Sequence, residues 1–336
     1  MTQQYSFDDI VADVQDDLSL DEAAKRQLLL KLGRLKNTRV NILITGATGS
    51  GKSSTINALF NVEHARVGQG VDPETLDIAR YEFNNIVLFD SPGLGDGKER
   101  DQAHAHNIIA KLREQDADGG MLIDLVLVIL EGGSKDLGTS FELINKVIIP
   151  NLNGETDRLL VAINQADVAM KGRYWNKQDN RPEPELVRFL EEKVVSTQKR
   201  ILEATGVSIT TPIYYCAGYK DGTQAQNPYN LSKLLLLILR HTRQEKRAAF
   251  LPDINTDRQH WQDDDRRENY RAEIEKSVWE SIVEDAEVGA KAGERIGGLL
   301  LGEAGRTVGR IGGALVSGTV SVARRVVGSI FDSIFG

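Results

Sequence analysis

The chain has 336 residues, 40% hydrophobic and 27% charged, enough for one sizeable core with smaller additions. A formal charge of −8 with no local basic patch gives no general attraction to polyanions, so nucleic acid and the ribosome are not expected partners. One cysteine, Cys216, excludes an internal disulfide framework and suits a reducing compartment. The opening MTQQYSFDDIVADVQDD lacks the basic, apolar and small-residue succession of a signal peptide, so the expected location is the cytoplasm.

Residues 7–33 place Ile10, Val11, Val14, Leu18, Leu28, Leu29 and Leu32 at loosely helical spacings, with Gly33 as a closing residue. This predicts an N-terminal helical segment over 1–37. From Val40 to about Arg243, the apolar runs VNILIT, DIARYEF, NIVLFD, LVLVIL, RLLVAIN and PIYYC alternate with amphipathic segments. Such alternation predicts an α/β domain over 38–245, a mainly parallel sheet with flanking helices, which binds ligands at the carboxyl ends of its strands. Residues 171–190 read either as a partner-binding insertion or as a long loop leading to a helix. The polar, charged stretch 246–287, with Pro252, predicts a linker followed by a helix, and 288–336 predicts a glycine-rich helical unit.

Gly46 to Ser53 reads GATGSGKS, which fits G-x-x-x-x-G-K-[ST] between a β-branched run and the helix-like SSTINALF. In that setting the backbone N–H groups around Gly46, Thr48, Gly49, Ser50, Gly51 and Ser54 converge on phosphate oxygens, and the helix adds its positive end. Lys52 is expected to reach the β- and γ-phosphates and Ser53 to offer its hydroxyl to Mg²⁺. The bland alternative is a glycine-rich turn that happens to carry a lysine. A second carboxylate stands in NIVLFDSPG: Asp90 would hold Mg²⁺ through water, and the Gly93 N–H would sense the γ-phosphate. Thr75 is the one threonine between Ile56 and Asp90, and is expected to bind Mg²⁺ in the triphosphate state; a turn-capping role after Pro73 is its ordinary alternative.

RLLVAINQAD bears on the base. Asp167 can accept from guanine N1–H and the 2-amino group, neither of which adenine offers in that geometry, and Asn164 would tie the loop together. YYCAG ends a further strand and brings Cys216 and Ala217 to the same side, with the Ala217 N–H expected at guanine O6.

Together GATGSGKSS, DSPG and NQAD resemble the TRAFAC-type P-loop GTPases, chiefly the Era and TrmE branch, with likeness to septins and immunity-related GTPases, over about residues 38–243. The whole chain is most similar to the bacterial YfjP-type predicted GTPases of the Era-like group. The resemblance implies a Ras-like fold, Mg²⁺-dependent binding of GTP and GDP, GTP hydrolysis, and switch regions near 62–77 and 91–106. Three positions depart from the pattern. Gln165 replaces the lysine of N-K-x-D, Leu94 stands where Ras-type enzymes orient water with glutamine, and Gly49 replaces the asparagine of potassium-stimulated members. Slow intrinsic turnover follows, completed by self-association or a partner, with Arg66 and Arg100 as candidate arginines.

In the tail, Gly289, Gly293, Gly297, Gly305, Gly309 and Gly313 keep a four-residue lattice. Each glycine costs about 1 kcal/mol against alanine in a helix unless close packing offsets it. The uncharged run Ile311–Ala323 is shorter than the about 20 apolar residues a spanning helix needs. Three readings stay open: packing within protein, peripheral membrane contact with Arg306, Arg310, Arg324 and Arg325 near headgroups, or a flexible tail.

Overall fold

The structure is a computed structural model that describes residues 11–12, 15–16, 22–62, 66–69, 78–93, 95, 97–134, 137–221, 224–281, 328, 331–332 and 334–335. Helix α1 (Glu22–Asn37) leads in. Gly33, expected to close this segment, lies inside α1. The helix continues because Leu35 is buried and because Asn85 Nδ2 donates to the carbonyls of Leu35, Lys36 and Thr38 at 2.7, 3.3 and 2.6 Å. A distant side chain thus caps carbonyls that a helix end leaves without partners.

Then follow β1 (Val40–Gly46), α2 (Lys52–Leu59), β2 (Arg66–Gln69), β3 (Ala79–Glu82), β4 (Ile86–Asp90), α3 (Lys98–Arg113) and β5 (Leu125–Glu131). Helix α4 (Gly138–Glu142) runs on as a π-helix, Leu143–Ile148, before β6 (Leu159–Asn164). A small hairpin, β7 (Trp175–Asn176) with β8 (Arg181–Pro182), enters α5 (Pro184–Thr205). The chain continues through β9 (Ile213–Tyr214), the hairpin β10 (Tyr219–Asp221) with β11 (Gln224–Gln226), and α6 (Leu231–His241).

Seven strands form one sheet in the order β2-β3-β4-β1-β5-β6-β9. Strands β4, β1, β5, β6 and β9 are parallel, and β2 and β3 are antiparallel at one edge, a Ras-like arrangement. Side chains alternate across a strand, so each core strand feeds two cores. Ile42 and Ile44 of β1 pack with Ile56 and Leu59 of α2 and Leu234 and Leu235 of α6 on one face. Leu43 packs with Ile108 and Leu112 of α3 and Leu186 and Leu190 of α5 on the other. The register sets Ile44 beside Asp90, Gly46 beside Ile129 and Glu131 beside Asn164, which brings four strand ends to one edge.

Strand β2 was not expected: it falls within the region read as a switch loop, and RVGQ has no apolar alternation to announce it. Residues 171–190 serve as a turn and hairpin into α5, sealed by Trp175 edge-on to Tyr229 at 5.5 Å between ring centroids. The stretch expected to begin as a linker is instead part of the core. Ala248, Ala249, Phe250, Leu251, Ile254 and Trp261 are buried, and residues 270–281 form the helix expected after them. Within the glycine-rich unit, Phe331 and Ile334 are buried against this segment, and Arg271 pairs with Asp332 at 2.6 Å. The glycine lattice and the four tail arginines lie outside the described residues. Among the described residues no helix is long and apolar enough to cross a membrane.

Asp253, 1% exposed, holds the segment in place. Its oxygens accept from Asn84 N (3.0 Å), Asn84 Nδ2 (2.8 Å), Asn85 N (2.8 Å) and Ile86 N (2.8 Å). Burial raises its pKa, and these four donors oppose the rise. Replacing Asp253 by alanine strands buried N–H groups at the turn before β4, so denaturant unfolding of that variant is expected to show a loss of about 3 kcal/mol.

Candidate nucleotide site

The turn from β1 to α2 is built to face an anion. Gly51 takes φ +86° before α2, and no side chain caps the helix, so its first N–H groups point outward unpaired by a cap. Only glycine fits there: a Cβ on Gly51 would lie 2.2 Å from Asn164 Nδ2. Lys52 Nζ donates to the Gly46 and Ala47 carbonyls at 3.3 and 3.2 Å, which keeps its ammonium at the loop. Ser53 and Ser54 are exposed in the first turn of α2. Helix α2 is locked from behind by Thr55 Oγ1 and Tyr215 Oη, 2.6 Å apart in the buried interior.

Asp90 ends β4 with Oδ1 buried and without a hydrogen-bond partner. Desolvation pushes its pKa up to about 6, and Lys52 opposes the shift. A buried carboxylate oxygen lacking a donor suits a hydrated cation, so the residues present fit Mg²⁺, which Asp90 and the Ser53 hydroxyl would hold. The following Ser91 is tied to β1: its Oγ donates to Thr45 Oγ1 at 2.7 Å and its N–H to Ile44 O at 3.0 Å. Gly93 rests on the phosphate loop, where a Cβ would stand 2.3 Å from Thr48 Oγ1 and 2.6 Å from Thr48 N. Thr75 and Leu94 lie outside the described residues. Arg66 lies in β2, and Arg100 is exposed in the first turn of α3.

On the base side, Asn164 is 2% exposed and uses both ends of its amide. Nδ2 donates to Ser50 O and Oδ1 accepts from Ala217 N, each at 3.0 Å. The Ala217 N–H, expected at guanine O6, is therefore committed to Asn164 in this structure. Gln165, expected to be a loss relative to lysine, reaches the phosphate loop itself: Nε2 donates to Gly49 O at 2.8 Å. Asp167 is half-buried and accepts from the Cys216 thiol at 3.1 Å. Burial, reinforced by the Asp167 carboxylate, pushes that thiol well above its usual range, so Cys216 stays an S–H donor rather than a nucleophile. Gln226 Nε2 backs the sulfur at 3.3 Å. Sequence reasoning missed three of these supports. Tyr215 could have been suspected from YYC, but neither Gln226 nor Lys193, whose Nζ meets the turn after β5, carries a local signal.

A glycine cradle before an uncapped helix, a lysine at the cradle, an underserved buried acid at the next strand end and a carboxylate on a third loop define a P-loop nucleotide-binding domain. Residues 41–165 match the family described as 50S ribosome-binding GTPase. The uncharacterized protein YfjP of Escherichia coli K12 is 30% identical over 168 residues, 48% of this chain and 54% of that protein. The interferon-gamma-inducible GTPase 10 of Mus musculus is 34% identical over 89 residues, 25% of this chain and 20% of that protein. The chain spans about half or less of the length of these curated relatives. Among solved structures, Toc33 from Arabidopsis thaliana with GDP and Mg²⁺ shares 17% identity over 65% of this chain and 85% of that one, with a TM-score of 0.38.

The Asp90 pKa has a stability consequence. With its folded pKa near 6 above an unfolded value of 3.8, the penalty is absent below about pH 4, grows up to about pH 6 and stays in full above it. Thermal melts of nucleotide-free Asp90→Asn are expected to exceed those of the parent above about pH 7, by on the order of 2 kcal/mol, and to coincide with them below about pH 4.

Proposed function

We propose that the chain is a Mg²⁺-dependent switch of the Era and TrmE-like group that binds GTP and hydrolyses it to GDP and phosphate. The observation that carries this reading is the Asn164 bridge between Ser50 and Ala217, because it joins a phosphate cradle to a base-reading loop as one rigid unit. Asp167, next to that bridge, is the guanine selector. Lys52 leaves the Gly46 and Ala47 carbonyls for the β- and γ-phosphates, Ser53 and Asp90 hold the metal, and the Gly93 N–H answers to the γ-phosphate. Bound Mg²⁺ would neutralise charge on the β- and γ-phosphate oxygens.

Turnover is slow in the isolated chain, because Leu94 cannot orient water, and rises when a second copy or a partner completes the site. An arginine delivered in this way is worth about 10³ to 10⁵ in rate. Membrane contact through 288–336 is the second reading. The burial of Phe331 and Ile334 favours packing of that end within protein instead. Ribosome binding, which gives the matched family its description, finds no support in a charge of −8.

Two measurements test the proposal. Asp167→Asn is expected to weaken GTP binding about a hundredfold or more and to admit xanthosine triphosphate, whose base presents the complementary pattern. Unchanged GTP affinity would remove the base assignment. The hydrolysis rate per molecule is expected to climb with protein concentration; a rate that stays high and flat on dilution would end the idea of assisted turnover.

A further inference from the structure

Lys193 lies mid-helix in α5, remote in sequence from every nucleotide motif, yet its ammonium is spent at the edge of the nucleotide site. Nζ donates to the carbonyls of Glu131, Gly132 and Ser134 at 3.0, 2.7 and 2.7 Å, so each of its three N–H bonds has an acceptor. Three carbonyl dipoles converging on one point repel one another unless a cation sits between them, and the lysine is therefore what allows this turn its shape. Burial lowers the lysine pKa and Glu131 opposes the fall.

The turn in question, 131–134, is the floor of the base-reading loop. The Gly132 N–H donates to Asn164 O at 2.7 Å. A Cβ on Gly132 would stand 2.7 Å from Asn164 O and 2.8 Å from Gln165 O, so backbone lies directly on backbone. One layer further, the Asn164 and Gln165 side chains hold Ser50 and Gly49 of the phosphate loop. A continuous stack thus runs from α5 through the turn after β5 to the N-Q-A-D loop and the cradle.

We propose that Lys193 is a positioning residue for base recognition, holding the 131–134 turn beneath Asn164 and Gln165 so that Asp167 presents both oxygens squarely to guanine N1–H and the 2-amino group. It touches neither nucleotide nor metal. The inference deepens the proposed function and rests on Asp167 as the guanine selector.

The test compares GDP with IDP, which lacks only the 2-amino group, because the ratio of their affinities reads how both carboxylate oxygens face the base. Full-length protein, Lys193→Met, Lys193→Arg and Gly132→Ala are titrated with both nucleotides, and melting temperatures are recorded alongside. Lys193→Met is expected to weaken GDP about tenfold and to lower the GDP-over-IDP ratio at least about threefold. Lys193→Arg, which keeps charged donors, recovers part of that ratio. Gly132→Ala, pressing on the same carbonyls from the other side, lowers the ratio in the same direction, and it carries the test if Lys193→Met does not fold. A ratio unchanged from the parent in Lys193→Met, or in Gly132→Ala where the methionine variant is unfolded, overturns the assignment. Failure of the underlying reading looks different: Asp167→Asn would then bind GDP and XDP as the parent does.

Discussion

A primary amide buried as deeply as that of Asn164 has to find partners for its donor and its acceptor, and here the partners belong to two other loops. Ser50 follows β1 and Ala217 follows β9, so one side chain from the end of β6 holds three strand ends in a fixed relation. The space it occupies explains the glycine at 51, since any Cβ there would displace the amide. The same constraint couples the two halves of the candidate site: the Gly46–Ser53 loop cannot move without disturbing the loop after β6. Gln165 adds a second link through Gly49, and the turn after β5 supports both from below.

Two buried carboxylates illustrate how surroundings separate architecture from chemistry. Asp253 has four N–H donors around it, and its work is to bind the 246–261 segment to the turn before β4. Asp90 has an oxygen with no donor at all, which a protein tolerates where a ligand is to supply the missing partner. Burial lifts the pKa of both, but only the first is compensated by the protein itself. The segment held by Asp253 also grips the far end of α2, where Phe60 bridges Ile254, Asn61 N–H reaches Asp253 O and Asn255 N–H reaches Leu59 O. The phosphate-loop helix is therefore anchored at its exit by a part of the chain that lies nearly two hundred residues away.

Much of the domain was readable because its strands are short apolar runs and its motifs are local. The runs beginning at Val40, Ile86, Leu125 and Leu159 became adjacent parallel strands, and Gly46 to Ser53 became the strand-to-helix turn that its glycines announce. The misreadings share one cause. Gly33 failed to end α1 because Asn85 caps the helix from another element; β2 exists through pairing with β3; and the polar 246–261 stretch is buried because the Asp253 carboxylate and a few apolar side chains outweigh its composition. Each is a case of a tertiary partner overriding local preference. At the candidate site, the bond from the Gln165 amide to Gly49 O has no local signal, and neither does Lys193, whose contacts are three carbonyls that any sequence possesses.

By itself the sequence determined the elements whose information is carried by residue type and spacing: the glycine-rich turn from β1 to α2, the acid at the end of β4, and the N-Q-A-D loop after β6. Backbone conformation at glycine, side-chain alternation along a strand and the chemistry of a carboxylate are local properties, and they can be read residue by residue. Only the tertiary structure decided which loops share an amide, which buried oxygen is left without a donor, and which lysine gathers the three carbonyls of the turn after β5. Those facts depend on distances between groups far apart along the chain, and hydrogen bonding is too short in range for sequence order to reveal them.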